Sequence, residues 1–211
     1  MSRDKEVVIG IDSSCEQGLV VVFNHKAVLW THYLQNKMQH AVHIASILNQ
    51  AYEWSINNQY EIKGLATGLG PGSFVGIRVA LATSLGFSFG KSLPLVGVCT
   101  HLALASSFPD SSITVVMKAS GDLVYVSKYL HNQLLEKITV QKISNLDLAG
   151  LIVSDIEEIV NSNKVAILCK GLKDIGFYSA FMKSYDMSNL KDQSVNITPN
   201  YIKEANVYTK T

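Results

Sequence analysis

The chain has 211 residues and a nearly neutral charge balance, with 18 Lys and Arg against 17 Asp and Glu. A protein that binds nucleic acid on its own usually carries a basic face, so the absence of any basic block predicts that contact with RNA would need a partner. Cys15, Cys99 and Cys169 are too few and too scattered for a disulfide framework or a structural zinc site. No signal peptide and no apolar run of roughly 18 residues stands out, which predicts a cytoplasmic protein that does not contact a membrane.

The first part of the chain alternates apolar runs with short polar turns. This pattern predicts a meander of three strands at residues 7–11, 19–23 and 27–35. Apolar positions at helical spacing then predict a helix at 40–54, followed by a strand at 64–68. Beyond a glycine-rich turn we expect a helix from residue 74 to about 89, a strand at 95–98, and a helix at 100–105 capped by Thr100.

The same order of elements recurs in the second part of the chain. Three strands are predicted at 113–117, 123–130 and 134–138, followed by a helix near 155–161 and a strand at 165–168. A duplicated plan of meandering strands with later crossover helices predicts an α/β fold of two ribonuclease-H-like halves, residues 1–109 and 110–211. The second half is expected to be curtailed and to end in a tail.

The glycine-rich turn at residues 68–78 is the most distinctive local feature of the sequence. Three glycines and a proline lie within five residues, and Ser73 stands at the expected N-cap of the next helix. A strand, a glycine turn and a helix N-terminus can together bind an anion, because free N–H groups and the helix dipole point the same way. The alternative is a tight entry for a helix of small residues that packs closely against a neighbour. The turn matches neither the P-loop nor the dinucleotide fingerprint, which favours the second interpretation.

Several motifs together resemble the TsaB/YeaZ family of tRNA threonylcarbamoyladenosine biosynthesis proteins. Residues 70–78 read Gly-Pro-Gly-Ser-Phe-Val-Gly-Ile-Arg and residues 93–98 read Leu-Pro-Leu-Val-Gly-Val, both similar to family patterns. Asp12 matches an acidic residue that ends the first strand in the family, and His40 matches a histidine that opens the first helix. Residues 199–203 are similar to the end of the family's sequences, although Lys203 stands where arginine is usual.

The resemblance implies the actin-like ATPase superfold and a role as a partner rather than as the main enzyme. In the family, TsaB pairs with its larger paralogue TsaD, which holds the metal, and the ATPase TsaE joins that assembly. We therefore expect no cofactor of the chain's own, with ATP and a divalent metal present only in the assembled complex. Transfer RNA would be reached only through the complex, and a homodimer is expected when TsaD is absent.

By the same resemblance, the helices at 40–54 and 74–89 are the expected contact surface for TsaD or for a second copy. The residues predicted at this interface are His40, Ile44, Ile47, Gly76, Ile77, Ala80, Thr83, Ser84 and Phe87. A possible nucleotide or anion site is a separate prediction. It comprises Asp12, Ser13, Gly70, Gly72, Ser73 and Arg78.

An alternative function is a small actin-like ATPase or phosphotransferase that acts on its own through Asp12 and the glycine turn. The departures from the family pattern weigh against it. Lys118 and Ser120 stand in the turn where the family usually carries Asp-x-Arg, and Val75 replaces a threonine of the glycine turn. Carboxylates at such turns hold the metal-bound nucleotide in actin-like ATPases, so losing one disfavours independent hydrolysis. Peptidase activity is not expected either, because no serine elbow, zinc-protease motif or Cys–His motif occurs.

Overall fold

The computed structural model describes residues 3–35, 37–146, 148, 150–162, 166–169, 173–193 and 197–200. The first sheet has the strand order β3-β2-β1-β4-β5. Its strands are β1 (Glu6–Asp12), β2 (Gly18–Phe23), β3 (Val28–Leu34), β4 (Glu61–Gly68) and β5 (Leu95–Val98). The helices of this part are α1 (Lys37–Asn57), α2 (Phe74–Lys91) and α3 (Thr100–Ala105).

The second sheet runs in the order β11-β10-β6-β7, and two short strands pair with the outer side of β7. Its strands are β6 (Ser112–Lys118), β7 (Leu123–Leu130), β8 (Gln133–Leu134), β9 (Thr139–Lys142), β10 (Leu151–Ser154) and β11 (Ala166–Leu168). The later helices are α4 (Glu157–Ser162), α5 (Lys173–Ser184) and α6 (Leu190–Gln193).

Both sheets follow one pairing scheme. In the first, β1 is antiparallel to β2 and parallel to β4, and β2 is antiparallel to β3. In the second, β6 is antiparallel to β7 and parallel to β10, and β7 is antiparallel to β9. The predicted α/β fold with a duplicated plan is confirmed. The boundary between the two halves, placed between residues 109 and 110, stays a prediction.

The element assignments of the second half need two corrections. The strand predicted at 134–138 was wrong over most of its length, because β8 ends at Leu134 and pairing with β7 resumes only at Thr139. The strand β10 and the helix α5 were both missed. The helix α4 therefore joins two parallel strands, as α2 does in the first half, and is not the counterpart of α1.

The core explains the continuous apolar run of β1. Val7, Ile9 and Ile11 face a cluster that includes residues of α1 and α2, whereas Val8 faces a cluster built partly by α5. Gly10 makes room for α5, since a Cβ at this position would lie 2.6 Å from the Phe177 ring. A strand covered on both faces needs apolar residues at every position. None of the described helices is long and apolar enough to cross a membrane.

Candidate functional site

Asp12 ends β1 in a fully buried position and uses both carboxylate oxygens. Oδ1 accepts hydrogen bonds from the backbone N–H of Ser14 at 2.8 Å and from its hydroxyl at 2.6 Å. Oδ2 accepts a hydrogen bond from the Thr100 hydroxyl at 2.9 Å. Thr100 begins α3, so Asp12 ties the end of β1 to the start of that helix.

Lys173 supplies the positive charge that balances Asp12. Its Nζ lies 3.5 Å from Oδ2 of Asp12, and both side chains are almost completely inaccessible to solvent. The ammonium also donates to the carbonyl of Gln17 at 3.4 Å. Although burial disfavours the charged form, the carboxylate of Asp12 and two nearby thiols hold the pKa of Lys173 above its ordinary value. The site therefore contains a buried ion pair between the first strand and α5.

The glycine turn docks on the turn that follows Asp12. The backbone N–H of Ser73 donates to the carbonyl of Ser14 at 2.7 Å, and the hydroxyl of Ser13 donates to the carbonyl of Gly76 at 2.6 Å. A Cβ at Gly72 or at Gly76 would collide with the carbonyls of Ser14 and Ser13 respectively. These glycines are thus required by close backbone contact within the chain.

Ser73 is the N-cap of α2, as predicted, and its hydroxyl accepts a hydrogen bond from the N–H of Gly76 at 3.3 Å. Gly70 contacts the start of α3: its N–H donates to the Thr100 hydroxyl at 3.2 Å, and its carbonyl accepts from the N–H of Thr100 at 2.9 Å. Thr100 was predicted to cap α3, but the N-cap is Cys99. Arg78 is exposed on α2, and its guanidinium lies 3.6 Å from the centre of the Phe74 ring.

The residues around Asp12 do not fit a metal-bound nucleotide as they are arranged. Both carboxylate oxygens accept hydrogen bonds from the chain, and Lys173 occupies the position next to them that a metal cation would need. A Cβ at Gly68 would collide with the Asp12 side chain, so the strand beside it also packs closely. Two cavities, of about 340 and 130 Å³, are lined by other residues. In the described part of the chain, no group of three or more His, Cys, Asp or Glu side chains could hold a metal ion.

Most of the residues predicted at the partner interface lie inside the chain. Ile44, Ile47, Ile77, Ala80 and Ser84 are buried, as is Gly76. They fill the space between the two helices and the first sheet, where small residues let α2 approach β4. In the chain alone these side chains support the two helices from within, and their role at a partner interface stays a prediction. Thr83 and Phe87 are half-buried, and the side chain of His40 lies outside the described residues.

The outer surface of the same helices carries apolar side chains that were not predicted. On α2, Val75 is 67% exposed, Leu85 is 49% exposed and Phe89 is 90% exposed, and Leu85 and Phe89 are neighbours on the helix surface because they stand four residues apart. Val42 of α1 is 70% exposed. We call Val42, Val75, Leu85 and Phe89 the outer apolar face. Sequence periodicity did not separate this face from the buried one, because α2 is apolar on all sides.

Ser14, Thr100 and Lys173 are site residues that the sequence did not reveal. Ser14 had a local signal, since it follows Asp12 by two residues in a polar turn, where serine often hydrogen-bonds a neighbouring carboxylate. Lys173 had none, because it stands far along the chain at the start of a helix that was not predicted.

Two halves with mixed sheets of this pairing scheme define an actin-like ATPase fold. The first half adds a carboxylate at the end of its first strand and a helix entered from a glycine turn. Two solved structures from Pseudomonas aeruginosa share this fold, each with a TM-score of 0.68. One is titled as YeaZ and is 16% identical, with 93% of this chain and 100% of that chain covered. The other, described as similar to peptidase YEAZ, is 18% identical, with 94% and 100% covered. At these identities the likeness shows the fold alone.

Comparison with known sequences shows which family within this fold the chain belongs to. The family model described as TsaD, tRNA N6-adenosine threonylcarbamoyltransferase, matches residues 35–191. A tRNA threonylcarbamoyladenosine biosynthesis protein TsaB from Buchnera aphidicola is 25% identical over 193 residues, covering 80% of this chain and 86% of that protein. The TsaB of Escherichia coli is 30% identical over 98 residues, covering 46% and 42%. The chain belongs to the TsaD family, in its TsaB/YeaZ branch.

Proposed function

We propose that this chain takes part in tRNA threonylcarbamoyladenosine biosynthesis as a non-catalytic partner of TsaD, with TsaE joining the assembly. Its relatives are named for this pathway, and the family model is that of the transferase itself. In this proposal the chain has no cofactor of its own and reaches tRNA only through the complex. When TsaD is absent, the same surface pairs two copies of the chain.

The observation that carries the proposal is the outer apolar face on α1 and α2. Large apolar side chains exposed together on one side of a helix are typical of surfaces that another protein covers. Ile44 and Leu48 of α1 and Ala80 of α2 anchor both helices in one core cluster, so the face is presented on a firm support. A partner helix laid against it would bury Phe89, which is 90% exposed in the chain alone.

The geometry around Asp12 supports a role without catalysis. The carboxylate that ends the first strand is paired with Lys173 and fully buried, so it has no oxygen left to hold a metal-bound phosphate. The alternative, an independent ATPase or phosphotransferase, would have to break this ion pair before each turnover. ATP hydrolysis by the purified chain with magnesium, abolished by Asp12→Asn, would support the alternative and contradict our proposal.

The proposal is tested by reconstituting tRNA threonylcarbamoylation with TsaD, TsaE and the enzyme that supplies the activated threonylcarbamoyl group. We expect tRNA modification to fall strongly when this chain is omitted. We expect the same when the Phe89→Lys variant is used in place of the wild-type chain. A matched control is Leu135→Lys, because Leu135 is 54% exposed but lies outside α1 and α2. Equal modification with and without the chain would refute the role, and equal activity of both lysine variants would refute the outer apolar face as its contact surface.

A further inference from the structure

Asn200 belongs to the family-like motif at residues 199–203, and it lies beside the glycine turn. Its backbone N–H donates a hydrogen bond to the carbonyl of Leu69 at 2.9 Å, and its side-chain amide donates to the carbonyl of Gly70 at 3.4 Å. Ile197 is half-buried and packs against the core cluster beneath α1 and α2. We call residues 197–200 the strap. The strap therefore contacts both the glycine turn and the core under the two helices.

The strap and the helix before it are anchored on opposite faces of the first sheet. Leu190 of α6 is buried in the cluster on the face that α5 covers, and its Cδ1 lies 3.0 Å from where a Cβ would stand at Gly64 of β4. Ile197 packs in the cluster on the face that α1 and α2 cover. Asn200 then contacts Leu69, the residue that follows β4. Packing on both faces thus holds the strap beside the end of β4.

The strap completes the contacts that hold the first residues of the glycine turn. The N–H of Leu69 donates to the carbonyl of Val98 in β5 at 2.8 Å, and Gly70 exchanges hydrogen bonds with Thr100 at the start of α3. These contacts come from the first sheet and its helix, and the carbonyl of Leu69 accepts its hydrogen bond from Asn200. Because backbone polar groups away from water need partners, a displaced strap would leave this carbonyl to be hydrated and would loosen the turn.

We propose that the strap is a positioning segment for the partner surface. In the docked position it holds the glycine turn and the first turn of α2 in the conformation that presents Val75, which belongs to the outer apolar face. When the strap detaches, the turn and the start of α2 open locally. Binding of a partner then weakens, because only the molecules with an ordered surface are competent to bind. This consequence for binding rests on the proposed function.

The test uses two matched variants of the full chain, Ile197→Asp and Thr198→Asp. Both place a carboxylate in the strap, but Ile197 packs against the core cluster, whereas the side chain of Thr198 is exposed. A third variant, Asn200→Pro, leaves the packing of Ile197 in place and removes the backbone and side-chain donors of Asn200 together. Agreement between Ile197→Asp and Asn200→Pro would show that the effect comes from detaching the strap and not from one substitution.

Hydrogen exchange measured by mass spectrometry is the first readout, on peptides that cover residues 68–77. We expect exchange to be at least about tenfold faster in Ile197→Asp and Asn200→Pro than in the wild type, because lost hydrogen bonds and packing favour local opening. Thr198→Asp should exchange at the wild-type rate. Peptides that cover β6 and β7 should keep the wild-type rate in all three variants, which would show that the second sheet remains folded.

Binding to purified TsaD is the second readout. If detachment leaves half of the molecules competent, the Kd doubles, so we expect a Kd raised at least about twofold in Ile197→Asp and Asn200→Pro and unchanged in Thr198→Asp. Wild-type exchange in both strap variants would overturn the proposal, as would faster exchange spread equally over β6 and β7, or a loosened turn with an unchanged Kd. A wild-type chain that does not bind TsaD would contradict the proposed function, and the exchange comparison would then decide whether the strap positions the turn.

Discussion

Replacing Lys173 tests whether the buried ion pair holds the site together. At 3.5 Å and an effective dielectric constant near 20, two unit charges attract by about 5 kcal/mol, although the desolvation of both groups offsets part of this. Lys173→Met would leave the Asp12 carboxylate buried without its counter-charge. We expect the free energy of unfolding to fall by about 3–5 kcal/mol. Against a typical total of roughly 5–15 kcal/mol, this loss is readily measured by urea denaturation.

A double-mutant cycle separates the ion pair from other effects of the substitution. Asp12→Asn keeps the shape of the side chain but removes its charge, so Asp12→Asn with Lys173→Met should cost less than the two single changes added together, by about 2–3 kcal/mol. The control is Lys26→Met, which breaks a shorter ion pair of 2.7 Å to Asp4 on the exposed surface. Salt and water screen that pair, and the urea midpoint should hardly move. Additive single changes, or a Lys173 variant as stable as the Lys26 variant, would refute the reasoning.

Three further predictions concern pH and packing. Burial lowers the pKa of His101 to about 3 from 6.5, so only the unfolded chain takes up the proton between these values; stability should fall as pH drops below 6.5, by about 2 kcal/mol at pH 5. Urea denaturation at pH 7.5 and at pH 5 gives the loss of stability between these two pH values. We expect this loss to be smaller in His101→Phe than in the wild type, and an equal loss would contradict the prediction. Gly72→Ala should destabilise the chain by about 2–4 kcal/mol because the added Cβ meets a carbonyl, whereas Gly86→Ala, with nothing within 4 Å, should be neutral or stabilising. Phe177→Ala should cost about 3–5 kcal/mol through the cavity it leaves, and exposed Ile175→Ala should change little; equal effects would refute the packing of α5 on the first sheet.

The sequence predicted elements well where local chemistry alone defines them. The ends of β5 and β7 and the first residue of α2 were correct, because apolar runs bounded by glycine, proline or polar turns leave few other interpretations. The strand β10, Leu151–Ser154, was missed although it is as long as β5. The helix α5 was missed because glycine and aromatic residues weaken its helical pattern.

The sequence indicated the carboxylate and the glycine turn of the site but not the side chains that contact Asp12. Asp12, the glycine turn and the Ser73 cap can each be recognised from the few residues around them. The contact between Asp12 and Lys173 cannot be recognised from the local sequence, because it depends on how α5 returns from the second sheet to cover the first. The burial of most of the predicted interface residues could not be foreseen for a related reason. When apolar residues occur on all sides of a helix, their spacing does not show which face is buried. In α2 the buried small residues are Gly76, Ala80 and Ser84.

The return of α5 shows how the second half of the chain supports the first. This helix follows the second sheet, yet Phe177 and Phe181 pack in the core of the first sheet, and the rings of Phe181 and Phe23 lie 5.0 Å apart. Its first residue, Lys173, balances the carboxylate on whose turn the glycine turn rests. The glycine turn leads directly into α2 and fixes where that helix begins. The helix α2 carries most of the outer apolar face. The second half thus supplies a counter-ion and a packed helix that together support the outer apolar face on the first half.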